Sequence, residues 1–168
     1  MKIDELTENN NNNNNSVNWA IGEDVVHGSL PFKNRIMNGY YDDSVIVYIN
    51  IREVFDNTEE DFRLDVDDPT GGPMSIGNRV EKAKQFFKVG YMDLSEIGYS
   101  SYNNAIVFTD GRHRLVAAYQ LGERYAPIIV PKSHIGAIKG MVSSKGQLID
   151  FGEIKEVLSR ELLFRNIK

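Results

Sequence analysis

The sequence predicts one small α/β (α+β) domain, and three observations support that. Its 168 residues are 41% hydrophobic, enough for a single ordinary core. Short β-branched and aromatic runs at 44–52, 105–109 and 126–130 have the character of buried strands. Around them, residues 77–88, 112–121 and 152–165 place apolar side chains at three- and four-residue spacing, as helices do.

Taken in order, residues 1–16 are dominated by asparagines from Asn9 to Asn15 and read as a disordered tail or a leader. Such a tract has no apolar surface to offset its ordering entropy, so the domain is assigned to 17–168. Residues 17–32 scatter apolar side chains among Gly22, Gly28 and Pro31 and read as an irregular or short strand segment on a sheet edge. Residues 44–52 alternate about Val45, Val47, Ile49 and Ile51 with Ile46 and Tyr48 between them, the pattern of a central strand covered on both faces. Residues 53–68 are acidic and read as a solvated face, because their carboxylates lack the spacing of a calcium loop. A turn-rich loop follows at 68–76, DPTGGPMSI.

The helix at 77–88 carries Val80, Ala83, Phe86 and Phe87 as its apolar stripe, and Gly90 ends it. Residues 92–98 include a short edge strand, and 99–104 make a hairpin-like turn into the strand at 105–109. That strand breaks at Asp110-Gly111. A helix begins at Arg112, with Leu115, Ala118, Tyr119 and Leu121 near one face and Gly122 as its stop. The strand at 126–130 is closed by Pro131. This crossover is about the minimum length for a parallel pair, and the strand direction stays open. Residues 132–144 read as a flexible connection that could bring Lys132 or Lys139 to an anion. The terminal helix at 152–165 uses Ile154, Val157, Leu158, Leu162 and Phe164 to pack on the sheet or to form a homodimer contact.

The chemistry concentrates at the join of strand and helix, in Asp110, Gly111, Arg112, His113 and Arg114. A helix start leaves backbone N–H groups unpartnered and carries roughly half a unit of positive charge, so it attracts anions. Gly111 lets the backbone approach closely, and two arginines add forked donors. The residues therefore read as a phosphate cradle. The competing reading makes Asp110 a helix N-cap and the arginines solvated first-turn residues, but cations at a helix N-terminus are disfavoured unless an anion offsets them. Asn78 and Arg79 are a second polar pair at a helix start, behind a glycine-rich loop, and are either ligands or ordinary capping residues.

The segment TDGRHRLVAAYQLGERYAPIIV resembles the core of the ParB/sulfiredoxin-like superfamily, whose members place a Gly-x-(His/Arg)-Arg box at the start of a helix that follows a strand. VIVYINIREVF and GGPMSIGNRVEKAKQFF extend the likeness to about 45–131, and resemble small plasmid-associated members of the fertility-inhibition type. The resemblance implies a ParB/sulfiredoxin-like fold with a mixed sheet, and a nucleotide site. Sulfinic acid reduction is excluded, because Arg112 stands where sulfiredoxins need cysteine and the chain has none. A partition-type DNA clamp is not expected, since those proteins add a helix-turn-helix and a dimerisation tail after the box.

Composition narrows the remainder. A net charge of −5 and a pI of about 5.2 argue against broad coating of DNA. His27, His113 and His134 are too scattered for a metal cluster, and no run is long and apolar enough for a membrane span. The expected product is soluble and cytoplasmic. The leading functional expectation is a protein that binds ATP or another nucleotide with Mg2+ and hydrolyses it or cleaves nucleic acid. Gly111, Arg112, His113, Arg114, Asn78 and Arg79 would hold the phosphates. Asp110 and His113 would act as catalytic groups, with Asp110 also the metal ligand. A second expectation is a non-catalytic nucleotide sensor that meets DNA or a conjugation or partition protein, with 53–68 facing a basic partner. A toxin-like effector is the third.

Overall fold

The computed structural model describes residues 17–167, so the expected asparagine-rich tail at 1–16 lies outside the described residues. Five strands form one mixed sheet: β1 (Ser44–Asn50), β2 (Ser95–Ser100), β3 (Ala105–Asp110), β4 (Tyr125–Pro131) and β5 (Ser144–Asp150), in the spatial order β3-β2-β4-β1-β5. Around it lie α1 (Leu30–Met37), α2 (Ile51–Asp56), α3 (Arg79–Val89), α4 (Arg112–Gln120), α5 (Ile135–Lys139) and α6 (Phe151–Ile167). The single α/β domain read from the sequence is what forms.

β1 is interior, as its pattern predicts. It buries Val45, Ile46, Val47 and Ile49 and runs antiparallel to β4, from Ser44 opposite Pro131 to Asn50 opposite Tyr125, and antiparallel to β5 on its other side. It ends sooner than the sequence suggests, because the Asn50 side chain accepts a hydrogen bond from the Glu53 N–H at 3.0 Å and turns the chain into α2. In the acidic stretch that follows, Val54, Phe55, Leu64 and Val66 are buried beneath the carboxylates.

The sequence expectation fails in three places. Residues 17–32 are not a sheet-edge segment beyond one isolated bridge, Trp19 to Met92. A 3-10 turn at Gly22–His27 leads into α1, which Ser29 caps by accepting from the Phe32 N–H at 3.2 Å. Pro31 sits in the first turn, where no N–H is missed, and Phe32 and Ile36 bury one face. The second correction concerns β2, expected as an edge. It lies between β3 and β4, antiparallel to β3 and parallel to β4. The strand-helix-strand unit β3–α4–β4 therefore does not join neighbouring parallel strands. β3 is the outer strand, and residues 57–59 pair with it at Ile106. Third, part of the supposedly flexible connection is α5 and the start of the outer strand β5, in which Gly146 at φ +73° accompanies a register shift.

α6 buries Phe151, Ile154 and Leu158 on one face, and the Phe151 ring stacks on Tyr41 at 4.9 Å. α4 is buried more completely than its stripe predicts, through His113, Leu115, Val116, Ala117 and Ala118. No helix among the described residues is long and apolar enough to cross a membrane.

Candidate functional site

β3 carries the chain outward to Asp110, and Gly111 turns it into α4. Gly111 has φ +87°, in the left-handed region, and a Cβ there would stand 2.5 Å from Ser95 Oγ and 2.6 Å from a terminal nitrogen of Arg114. Ser95, on the adjoining β2, donates its hydroxyl to the Gly111 carbonyl at 2.9 Å, so the turn is clamped to the sheet. Glycine is required here for both conformation and space.

The first turn of α4 opens into a cavity of about 500 Å³ whose opposite wall is α3. Arg79, Lys82, Ala83 and Phe86 share one face of α3, at three- and four-residue spacing, and all line the cavity. Ile76 and Phe62 complete its rim, and Phe86, Ile76 and Phe62 remain 47, 49 and 54% exposed. Arg112 reaches across from α4, donating from Nη1 to the Phe62 carbonyl at 3.0 Å. Burial, and then the charge of Arg79, hold the Arg112 guanidinium below its ordinary pKa. Neither Arg79, Lys82 nor Arg112 makes an ion pair among the described residues. Three cations thus face one space whose one lining carboxylate, Asp110, is paired with a fourth cation, Arg114.

The other residues singled out in the sequence separate. Asp110 lines the cavity with its side chain 51% exposed, and its Oδ2 accepts from Arg114 Nη2 at 3.4 Å. Arg114, expected to hold phosphate, also lines the cavity, but its Nη2 donates to the Leu94 carbonyl at 3.1 Å as well as to Asp110, and the side chain is only 19% exposed. Asn78 precedes α3 without making a side-chain cap and does not line the cavity. Glu96, opposite Asp110 in the β2–β3 register, offers no second carboxylate there. It is buried and accepts from the Tyr41 hydroxyl at 2.8 Å, which in turn accepts from Arg35 Nε at 2.8 Å.

His113 was expected to act as a catalytic and phosphate-binding group. The structure buries it to 8% exposure, and its Nε2 accepts from the Ile76 N–H at 3.1 Å. With that lone pair occupied, the ring is a strut between α4 and the glycine-rich loop. Burial, with help from Arg112 and Arg79, pushes its pKa down from 6.5 to about 4. The unfolded chain then binds a proton at pH values where the folded chain does not. Stability is fully present above pH 6.5 and is lost as pH falls toward 4. Between pH 7 and pH 5 this one group should account for about 2 kcal/mol of lost stability. Denaturant unfolding at both pH values checks it: His113→Gln should lose less stability over that interval than the wild type, and equal losses would refute the assignment.

Lys82 and Phe86 join the cavity without standing out in the sequence. Their spacing from Arg79 is the one signal, and it is masked because Phe86 shares the apolar stripe with Phe87, the ring that is 0% exposed.

No family model and no curated protein matches the chain. One solved structure, described as the Oncogenic Suppression Activity Protein, a plasmid fertility inhibition factor, in a gold(I) cyanide derivative, is similar in fold with a TM-score of 0.50. The identity is 15%, over 74% of this chain and 69% of that one. The likeness shows the fold alone.

Proposed function

We propose that this protein binds a nucleotide polyphosphate in the cavity between α3 and α4. The observation that carries the reading is the unbalanced set of Arg79, Lys82 and Arg112 around a space half lined by apolar side chains. Like charges that repel in the free protein are stabilised by an anion between them, and the N-terminus of α4 adds its amides and dipole. Phe86 and Ile76 offer an apolar bed of the kind a base occupies.

Magnesium fits this arrangement only as a companion of the phosphates. Asp110 is the one carboxylate lining the cavity, and among the described residues no group of three or more potential metal ligands exists. Mg2+ is commonly held by one or two carboxylates together with substrate phosphates, and would supply charge neutralisation there.

Binding is better supported than hydrolysis. The two groups expected to move protons are both engaged, Asp110 with Arg114 and His113 with Ile76. A sensing or interaction role therefore ranks above an NTPase or nuclease. The resemblance to the ParB/sulfiredoxin-like superfamily and the fold similarity to a plasmid fertility inhibition factor support a cytoplasmic role in interference with plasmid transfer. The partner in that role would be DNA or a conjugation protein. Leu162 and Leu163, 49 and 64% exposed on α6, suit a homodimer contact.

Isothermal titration of the full chain with ATP and Mg2+ tests the binding, and saturable binding with a Kd below about 1 mM is expected. No heat at millimolar nucleotide would overturn it. Phosphate release and plasmid nicking, measured beside Asp110→Ala, test chemistry. Turnover that this substitution abolishes would restore the enzyme reading.

A further inference from the structure

We infer that the cavity accepts nucleotides without selecting their base; this rests on the polyphosphate reading above. If Arg79, Lys82 and Arg112 take the phosphates, the base is left to the apolar end of the space. The side chains there are Phe86, Ile76, Phe62, Met92 and Ala83, and none carries a hydrogen-bonding group. The remaining uncharged or acidic polar side chains on the lining are few. Asp110 is paired with Arg114, the Nε2 of His113 is taken by the Ile76 N–H, and only Thr109 is left. The Phe62 carbonyl already accepts from Arg112, so it offers a base at most one further acceptor, which the amino group of adenine, guanine or cytosine can use alike.

A base is read by groups that complement its polar edge. Where a site is built to hydrogen-bond a substrate, a wrong partner leaves buried polar atoms unpaired and is rejected strongly. An apolar pocket imposes no such cost. Stacking on an aromatic face is available to every base, since each presents a π-surface. The Phe86 ring is nearly half exposed on the cavity face of α3 and is the side chain placed to provide it.

The test is titration of the full chain, in Mg2+, with ATP, GTP, CTP, UTP and inorganic tripolyphosphate. The four nucleotides should bind within about tenfold of one another, as an apolar pocket allows, and tripolyphosphate about tenfold more weakly than any of them. Phe86→Ala should weaken all four by a similar factor and leave tripolyphosphate unchanged. A preference beyond about tenfold for one base would overturn the inference while leaving the polyphosphate reading intact. Tripolyphosphate binding as tightly as the nucleotides would also overturn it, because the base would then contribute nothing. Failure of all five to bind would remove both the inference and the reading beneath it.

Discussion

Replacing Arg79 and Arg112 together by alanine should weaken ATP binding by about 100-fold or more, since each removes charge-assisted hydrogen bonds to phosphate. The same double variant should melt at the wild-type temperature or slightly above it. The two guanidinium groups act on each other unfavourably, and the Arg79 side chain makes no hydrogen bond or ion pair among the described residues. Arg112 loses only its bond to the Phe62 carbonyl. This pairing of outcomes separates a ligand site from a structural one. Arginines that hold a fold together lower the melting temperature when removed, whereas arginines that wait for an anion do not. Calorimetry and thermal denaturation on one preparation give both numbers. Unchanged affinity, or a melting temperature several degrees lower, would refute the assignment.

Gly111→Ala should be the most damaging single substitution near the site. The left-handed backbone at φ +87° costs a residue with a Cβ about 1 kcal/mol, and the overlap with Ser95 and Arg114 adds about 2 kcal/mol more. At this chain length a loss of about 3 kcal/mol corresponds to a melting temperature lower by about 9 °C. The affinity for ATP should fall as well, because relief of the overlap must move either the turn or Arg114, and with it the start of α4. Combining Gly111→Ala with Ser95→Gly removes the Ser95 overlaps but keeps the backbone strain and the Arg114 overlap and loses the hydroxyl clamp on the Gly111 carbonyl, so at most a small part of the stability should return. A Gly111→Ala protein melting within about 2 °C of wild type would show that the turn is softer than its geometry implies.

What could be read from the residues, and what could not, follows from the range of each signal. The strand into Asp110 and the helix from Arg112 are legible because a β-branched run, a glycine and an amphipathic stretch lie within about one element's length of each other. The position of β2 is not legible, because strand order depends on Ser95 and Glu96 pairing with Ile128 and Ile129, and distant pairing leaves no periodicity. α1 announces itself in Ser29 and Pro31, but the partner that fixes Ser29, Asp93, is 64 residues away. β5 escapes notice because Lys145, Gly146 and Gln147 are exposed on an outer strand and read as loop.

The site divides in the same way. The turn at Gly111 and the helix start at Arg112 are legible because both are local features of the chain. The directions of the next two residues are not, because each step around a helix turns the side chain by about 100°. All three border the cavity, but Arg112 bonds across it to Phe62, His113 accepts from the Ile76 N–H, and Arg114 bonds back to Leu94 and Asp110. Nothing within α3 alone says which of its faces meets α4, so Lys82 and Phe86 gain significance only from the packing.

The order of strands also governs when the molecule can be assembled. β1 comes first among the strands along the chain, yet both its neighbours, β4 and β5, come last. A nascent polypeptide emerging from the ribosome must carry β1 unpaired, with its Val45, Ile46 and Val47 exposed, until residue 125 has been synthesised, and it gains its second neighbour only with residues 144–150. The β2–β3 hairpin and α4 are complete by residue 120, so the cavity-forming segment precedes the strand pairings that finish the sheet. Late closure of long-range pairings is slow and leaves strand edges open to association, so this topology keeps an apolar strand unpaired for most of synthesis.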